Sequence, residues 1–201
     1  MNQTIVAMLI GYAFGCFQTS YILGKLVRNI DIREHGSGNA GTSNTTTILG
    51  LKYGVIVGTL DILKGFLAVV LVRAIYPEQP DLAYIAGIMA ILGHIFPFYM
   101  RFRGGKGVAT LVGITFGLGW KLGVLFALLV IVPALLTDYI VAGSFGVYAG
   151  LPVATHLSGY PLLFTWIAVG LFLLCLYLHR ENIQRILKKE ELKISAVLWK
   201  K

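Results

Sequence analysis

Charged residues are scarce in this sequence, and so are cysteines. Only 13% of the 201 residues are Asp, Glu, Lys or Arg, whereas roughly a quarter of an ordinary soluble domain is charged. Hydrophobic residues make up 57% of the chain. Both cysteines, Cys16 and Cys175, lie inside apolar runs and lack the spacing of metal ligands. The composition argues against a soluble domain and indicates that the surrounding solvent is a lipid bilayer.

Several signatures of catalytic chemistry are also missing. The sequence has no Ser-His-Asp order, no paired-carboxylate site and no metal-ligand spacing, so we expect neither a metal nor a cofactor. A Walker A loop is excluded because Met100 and Gly107 stand where that motif needs a Gly and a Ser or Thr. No Pro/Ser-rich linker or low-complexity tract divides the chain, which predicts a single membrane domain over residues 1–201.

Seven apolar runs follow one another along the chain. They cover residues 4–27, 54–76, 82–100, 108–119, 122–136, 139–155 and 161–178. This pattern predicts an all-α membrane protein, a polytopic helical bundle of about seven transmembrane helices. A full span needs about 20 residues, so the fourth and fifth runs are marginal, and a bundle of five spans is the alternative.

The basic residues predict how the chain is oriented. The net charge is +8, and most Lys and Arg residues fall on one side of the predicted helices, in two loops and in the tail. The positive-inside rule then places the C-terminus in the cytoplasm and the N-terminus outside. Because these cations flank apolar runs, we expect them to meet the head groups of membrane lipids, and we expect no nucleic acid partner.

The first polar loop, residues 36–47, contains only Gly, Ala, Ser, Thr and Asn. Glycines let a ligand approach backbone N–H groups, and short hydroxyl and amide side chains add neutral donors. The loop therefore suits a phosphate or another oxyanion. The alternative is a flexible loop that ends in an N-capped helix.

The second polar loop, residues 101–110, combines three cations with three glycines. Gly104, Gly105 and Gly107 surround Lys106 just before an apolar run. Such a turn brings backbone donors, the helix dipole and a lysine charge to one place, which favours phosphate binding. The alternative is a basic turn that meets lipid phosphates without specificity.

A third polar cluster lies where the last apolar run ends. His179 can act as an acid or a base, and Asn182 can orient a hydroxyl or a phosphate oxygen. A lone His at a helix end is, however, more often structural. Together, the three polar segments predict a phosphate-containing polar substrate that is handled beside acyl chains.

Two charged residues lie inside the second apolar run. Asp61 and Lys64 are three positions apart, so they share a helix face and can form an ion pair. Either charge alone would be costly in the membrane interior. We predict a structural pair, and a proton relay or substrate positioning is the alternative.

Four ordered blocks of the sequence resemble the bacterial acyl-phosphate-dependent glycerol-3-phosphate acyltransferases, a family of small polytopic membrane enzymes. The blocks are Ser37-Gly38-Asn39 with Gly41 and Asn44, Asp61-Ile62-Leu63-Lys64-Gly65, residues 93–97 with 102–110, and residues 179–183 with Arg185 and Glu191. The resemblance runs through most of the chain.

The resemblance implies transfer of a fatty acyl group from acyl phosphate to the 1-hydroxyl of glycerol 3-phosphate, giving lysophosphatidic acid and phosphate. It also implies a multi-pass protein of the bacterial inner cell membrane. The implied catalytic residues are Ser37 and Asn182, which orient substrate oxygens, and His179, which positions or deprotonates the attacking alcohol. The residues implied in substrate and phosphate binding are Gly38, Asn39, Asn44, Gly104, Gly105, Lys106 and Gly107.

Two positions depart from the pattern of that family. Thr47 stands where an Arg is usual, and Asp138 stands where another turn usually has an Arg. Losing an Arg contact to a phosphate would cost roughly 1.5 to 3 kcal/mol. A weakly active or inactive relative that binds phospholipid precursors is therefore one alternative. The charges of Asp61 and Lys64 leave a small phosphate or solute transporter as another.

Overall fold

The computed structural model describes residues 2–198, and helices are the regular secondary structure of this part of the chain. The α-helices of this part are α1 (Gln3–Cys16), α2 (Thr19–Arg28), α3 (Thr42–Leu49), α4 (Leu51–Ile75), α5 (Pro80–Ile95), α6 (Val108–Leu118), α7 (Trp120–Thr137), α8 (Ile140–Leu157), α9 (Leu162–Leu178), α10 (Arg180–Leu187) and α11 (Ile194–Leu198). Two short 3-10 turns, Ile32–Glu34 and Phe98–Met100, lie shortly before the first and the second polar loop. Residues 2–198 contain no strand, so the prediction of an all-α membrane protein is confirmed.

All seven apolar runs form helices, but not every helix is long enough to cross a bilayer. Five segments have the length and composition of a span: Gln3–Arg28, Leu51–Ile75, Pro80–Met100, Trp120–Thr137 and Ile140–Leu157. A sixth is reached if α9 and α10, which meet at a bend of 51°, form one broken span. Helix α6 has 11 residues and is only about 16 Å long. The protein therefore has several spans, while the count of seven and the orientation of the termini stay predictions.

The helices form two compact units, of which the first ends at Gly123 and the second begins at Val124. The first unit contains α1 to α6 with both polar loops, and the second contains α8 to α11 with most of α7. The prediction of a single domain over residues 1–201 stays a prediction.

In the first unit, small residues bring α1 and α5 close together. A β-carbon on Gly11 would overlap the backbone of Ala86, and a β-carbon on Gly15 would overlap the backbone of Ala90. In each helix the two contact residues are four positions apart, so the close contact repeats after one turn, as in other membrane helix pairs built on small residues. This crossing fixes α5, whose end leads into the second polar loop.

Helices α4 and α6 also cross at close range. A β-carbon on Gly65 would overlap the carbonyl oxygen of Thr110, and a β-carbon on Gly113 would overlap the carbonyl oxygen of Ile62. Because α6 begins at Val108, within the last part of the second polar loop, this crossing sets the position of that loop along α4.

In the second unit, α8 packs against α9 and also touches α7, where a β-carbon on Gly143 would overlap the backbone of Val130. Helix α9 ends at Leu178, and α10 begins two residues later at Arg180. His179 is therefore fixed at the junction of two helices.

Candidate active site

Asn44 organises the first polar loop. Its side chain is buried, and its Nδ2 group donates hydrogen bonds to the carbonyl oxygens of Ile32, His35 and Asn39 at 2.9, 3.0 and 3.0 Å. Its Oδ1 atom accepts a hydrogen bond from the backbone N–H of Ser37 at 2.8 Å. These contacts show that the amide shapes the loop. The phosphate contact expected of Asn44 stays a prediction.

The residues before Asn44 that were expected to meet substrate lie together in this loop. Ser37 is exposed, so a substrate oxygen can reach its hydroxyl. Gly38 has a φ of 69°, a left-handed conformation that favours glycine. Asn39 is half-buried, and its carbonyl oxygen is fixed by Asn44. The loop therefore presents a hydroxyl group on a backbone that is held from inside.

In the second polar loop, the Gly104–Gly105 turn is fastened to the end of α5. The N–H of Gly104 donates to the carbonyl oxygen of Ile95 at 2.9 Å, and the N–H of Gly105 donates to that of His94 at 3.0 Å. These two N–H groups hold the turn in place. We therefore expect the phosphate donors of this loop to be the side chain of Lys106 and the first N–H groups of α6, which have no partners within the helix.

Lys106 and Gly107 connect this turn to α6. Gly107 has a φ of 79° and stands directly before Val108, the first residue of the helix. The N–H of Leu111 donates to the carbonyl oxygen of Gly107 at 2.8 Å, which starts the helical ladder. Lys106 is half-buried. An ammonium group beside the positive end of a helix dipole creates a potential that attracts phosphate.

Arg33, in the 3-10 turn before the first polar loop, holds that turn against the start of the second polar loop. Its guanidinium group forms an ion pair with Asp31 at 2.6 Å, and it donates to the carbonyl oxygens of Met100 and Arg103 at 2.7 and 3.3 Å. The hydrogen bond from Arg33 lowers the pKa of Asp31, so this carboxyl group stays ionised. Sequence analysis missed this role, and the alternation of Asp31 and Arg33 was the only local sign of it.

The two loops also touch each other directly. A β-carbon on Gly105 would lie 3.0 Å from the carbonyl oxygen of Ala40, which is buried. A larger residue than glycine would therefore push the loops apart. Two loops suited to phosphate adjoin within the first unit.

The ion pair predicted inside the second apolar run is confirmed and has two further partners. Lys64 Nζ lies 2.8 Å from Asp61 Oδ1, 2.7 Å from His94 Nδ1 and 2.6 Å from the carbonyl oxygen of Phe17. His94 belongs to α5, and Phe17 lies at the break between α1 and α2. The spacing of Asp61 and Lys64 in the sequence gave no sign of these partners, because they come from other helices.

In the second unit, His179 is buried and its ring is held in a fixed orientation. Its Nδ1 atom lies 2.9 Å from the carbonyl oxygen of Cys175, and its ring packs edge to face against Phe145 with centroids 5.5 Å apart. Because a carbonyl oxygen can only accept, the hydrogen of the neutral ring is assigned to Nδ1. Nε2 is then the basic atom, as the role of a base would require.

Asn182, also in the second unit, is oriented by the tail. Its Nδ2 group donates to Glu191 Oε1 at 2.6 Å, and Arg185 Nε donates to the other oxygen of the same carboxylate at 2.6 Å. Glu191 therefore fixes the amide plane of Asn182, while Arg185 compensates its charge. These contacts give a physical reason for the two tail residues that the resemblance had singled out.

The two residues that depart from the family pattern use their side chains locally. The hydroxyl of Thr47 donates to the carbonyl oxygen of Ser43 at 3.1 Å. The carboxylate of Asp138 accepts hydrogen bonds from the N–H and the hydroxyl of Ser195 at 2.8 and 2.5 Å, and its carbonyl oxygen accepts one from the N–H of Ile194 at 2.9 Å. Asp138 therefore anchors the start of α11 to the turn between α7 and α8.

This anchor makes the docking of the tail pH-dependent. The hydrogen bonds from Ser195 lower the pKa of Asp138 below its ordinary value. A lowered pKa means that the contact is fully present above the ordinary pKa and is lost as the pH falls through the lowered one. A nitroxide label on Ala196→Cys should therefore be immobile in electron paramagnetic resonance spectra at about pH 7 and should become mobile as the pH is lowered through the lowered pKa of Asp138. In the Asp138→Ala protein the label should be mobile at about pH 7 and also at low pH. Equal mobility of the label in the two proteins at about pH 7 would contradict the anchor.

Within the first unit, the structure brings together Ser37, Gly38, Asn39, Asn44, Gly104, Gly105, Lys106 and Gly107. His179 and Asn182 lie in the second unit. Among residues 2–198, no group of three or more His, Cys, Asp or Glu side chains could hold a metal ion. The described helices have the length and composition of a multi-pass membrane protein, and its two adjoining polar loops carry donors that are suited to a phosphate group.

The comparisons with known proteins identify the family. A family model described as glycerol-3-phosphate acyltransferase matches residues 5–189, so the chain belongs to the glycerol-3-phosphate acyltransferase family. Glycerol-3-phosphate acyltransferase 1 of Oceanobacillus iheyensis is 38% identical in an alignment of 204 positions that covers 98% of each chain. The glycerol-3-phosphate acyltransferase of Halalkalibacterium halodurans is 41% identical over 189 residues, which cover 92% of each.

Two solved structures share the fold. Both are of PlsY (YgiH), an integral membrane glycerol 3-phosphate acyltransferase, in its glycerol 3-phosphate form and its lysophosphatidic acid form. The first matches with a TM-score of 0.86 and 31% identity, and the second with 0.82 and 30%. In both matches 98% of this chain and 99% of the other are covered. The family resemblance seen in the sequence is confirmed.

Proposed function

We propose that this protein transfers a fatty acyl group from acyl phosphate to the 1-hydroxyl of glycerol 3-phosphate, giving lysophosphatidic acid and inorganic phosphate. The place of action is the inner membrane of a bacterial cell. Family membership supports acyl transfer to glycerol 3-phosphate, and the solved relatives are described in their glycerol 3-phosphate and lysophosphatidic acid forms. Acyl phosphate as the donor is the more specific part of the proposal.

The observation that carries the proposal is the direct contact of two phosphate-suited loops in the first unit. Ala40 of the first loop meets Gly105 of the second, and Arg33, just before the first loop, donates to the carbonyl oxygens of Met100 and Arg103. A reaction between acyl phosphate and glycerol 3-phosphate must hold two phosphate groups near each other. Their mutual repulsion is best offset by fixed donors and a cation such as Lys106.

The chemistry requires little covalent participation by the protein. The 1-hydroxyl oxygen attacks the acyl carbonyl carbon, the bond from that carbon to the phosphate oxygen breaks, and phosphate leaves. The proton of the hydroxyl goes to the departing phosphate or to a basic side chain. Acyl phosphate is an activated mixed anhydride, so positioning of the reactants and neutralisation of charge supply much of the acceleration.

The proposal keeps the roles expected for individual side chains. The exposed hydroxyl of Ser37 and the oriented amide of Asn182 hold substrate oxygens, and His179 positions the attacking alcohol or accepts its proton. In support, Nε2 is the basic atom of the His179 ring, and Glu191 fixes the amide of Asn182. The orientations of the His179 and Asn182 side chains are set within the second unit, and the backbone of Ser37 is held within the first.

An assay with two donors tests the proposal. The purified protein in lipid vesicles is supplied with glycerol 3-phosphate and either palmitoyl phosphate or palmitoyl-CoA. We expect lysophosphatidic acid and inorganic phosphate in equal amounts from palmitoyl phosphate, and no product from palmitoyl-CoA. Absence of lysophosphatidic acid with both donors would reject the function, and product from palmitoyl-CoA alone would reject the donor.

A weakly active relative that binds phospholipid precursors is the second candidate, and the contact of Thr47 favours it. Threonine carries no charge, and the hydroxyl of Thr47 donates back to its own helix, so this position supplies no cation to a phosphate. In the same assay, a large gain of activity in Thr47→Arg would favour this candidate. Equal activity in wild type and variant would favour the full enzyme.

A further inference from the structure

Lys64 is the centre of a buried polar cluster in the first unit. The side chains of Lys64, Asp61 and His94 are each at most 4% exposed. The ammonium group has three hydrogens, and its three close partners are Asp61, His94 and the carbonyl oxygen of Phe17. An ammonium group only donates, so His94 Nδ1 must accept. The hydrogen of the imidazole ring is therefore on Nε2.

The other side of the His94 ring faces the turn before Lys106. A β-carbon on Gly105 would overlap His94 Nε2, and a β-carbon on Gly104 would overlap the carbonyl oxygen of His94. The same carbonyl oxygen accepts the hydrogen bond of the Gly105 N–H. The imidazole ring thus separates the cluster of Lys64 from the turn and touches both.

Gln18 holds the backbone of His94 from a third direction. Its Nε2 group donates to the carbonyl oxygen of His94 at 2.9 Å and to that of Gly15 at 3.3 Å. Gln18 follows Phe17, whose own carbonyl oxygen accepts from Lys64. The break between α1 and α2 therefore supplies one group that holds His94 and one that holds Lys64.

Stability alone does not account for a buried ion pair here. The free-energy cost of removing two charges from water offsets most of the attraction between them. Apolar residues of similar size stabilise a protein as well or better. What an apolar pair cannot do is donate a hydrogen bond to Nδ1 of His94. Orientation of that ring is the property that depends on Lys64.

We propose that Lys64, with Asp61 as its counter-ion, is a positioning residue for acyl transfer, which acts through His94 on the Gly104–Gly105 turn. It sets the tautomer and rotation of the imidazole ring, and the ring sets where the turn places Lys106 and the start of α6. The proposal rests on the proposed function, because its effect is read on a phosphate substrate. It deepens that function by assigning a task to a pair that does not contact substrate.

Two neutral double variants separate positioning from structure. Asp61→Leu with Lys64→Met gives an apolar pair that cannot donate, whereas Asp61→Leu with Lys64→Gln gives a neutral pair that can still donate to His94. We expect both to keep the melting temperature of the wild type within a few degrees, since neither leaves an unpaired buried charge. With Lys64→Met, KM should rise about tenfold or more for one of the two phosphate substrates and less than about twofold for the other. The Lys64→Gln pair should recover most of that loss.

Arg73→Met is the matched control, because it removes a cation from the same helix. Arg73 donates to the carbonyl oxygens of Gly117 and Leu118 at the far end of α6, away from the turn. The KM values of the Arg73→Met variant for both substrates should equal those of the wild type. Wild-type KM values in the Lys64→Met double variant, or equal losses in both double variants, would overturn the positioning role. An inactive wild-type protein would instead reject the proposed function.

A second readout does not depend on activity. Nitrogen-15 NMR of labelled histidines distinguishes the two tautomers, and loss of one signal in His94→Gln assigns that residue. Wild type should show His94 with its hydrogen on Nε2, and the Lys64→Met double variant should lose this preference. An unchanged His94 signal in that variant would show that Lys64 does not set the tautomer.

Discussion

Replacing Gly105 by alanine is expected to lower kcat/KM for acyl transfer by about 100-fold or more. The added β-carbon would overlap His94 Nε2 and lie 3.0 Å from the carbonyl oxygen of Ala40. The turn would have to leave the end of α5, and Lys106 and the start of α6 would move with it. Loss of a single preorganised donor typically costs an enzyme about 100- to 1,000-fold in rate. Initial rates of lysophosphatidic acid formation in vesicles measure the effect.

Gly119→Ala is the control for this prediction. Gly119 stands at the other end of α6 with an extended backbone, and within the described structure a β-carbon on it would lie in open space. Its kcat/KM should stay within about twofold of wild type, as is usual for a substitution that meets no neighbour. Comparable activity in the two variants would show that the fastening of the turn to α5 is not needed for acyl transfer.

The helices were largely predictable, because long apolar runs in a bilayer have to satisfy their backbone groups internally. The break in the first apolar run was not predictable from the sequence. Residues 4–27 read as one helix, but the structure ends α1 at Cys16 and begins α2 at Thr19. The carbonyl oxygen of Phe17 at this break accepts from Lys64. A partner 47 positions away leaves no periodic signal in the local sequence.

The chemistry of the polar loops was also predictable, since composition alone marks a loop of small donors and a basic glycine turn. Composition does not tell which donors are used inside the fold. The amide of Asn44 is used by its own loop, and the N–H groups of Gly104 and Gly105 are used by α5. Only the contacts of the folded chain separate the groups that build the site from those that remain for a ligand.

Asp138 shows why a departure from a family pattern is hard to interpret from sequence. Compared with the Arg that is usual at this position, Asp138 replaces a positive charge by a negative one. In the structure its carboxylate holds Ser195 at the start of α11. The residue therefore has a local structural task, and the loss of a cation at this position is not by itself evidence of a weakened site.

Replacing Asn44 by aspartate is expected to lower kcat/KM by about 100-fold or more with little change in volume. The Nδ2 donor would become an oxygen placed about 3 Å from the carbonyl oxygens of Ile32, His35 and Asn39. Three hydrogen bonds would turn into repulsions, and the new buried charge would keep only the N–H of Ser37 among the contacts of this side chain. The loop would open and release the backbone of Ser37. Initial rates and the melting temperature of the purified protein measure the two consequences.

Asn29→Asp provides the matched control, since it makes the same change of charge at an exposed residue. Asn29 ends α2 with a left-handed φ of 53°, a conformation that aspartate also adopts readily. We expect wild-type rates and melting temperature from this variant. Asn44→Asp should lose activity at temperatures where the protein is still folded, because the damage is confined to one loop whereas the close helix crossings at Gly11, Gly65 and Gly113 are untouched. Near-normal rates for Asn44→Asp would mean that the loop keeps its shape without this amide, and that Ser37 can reach substrate from a loop held by other contacts.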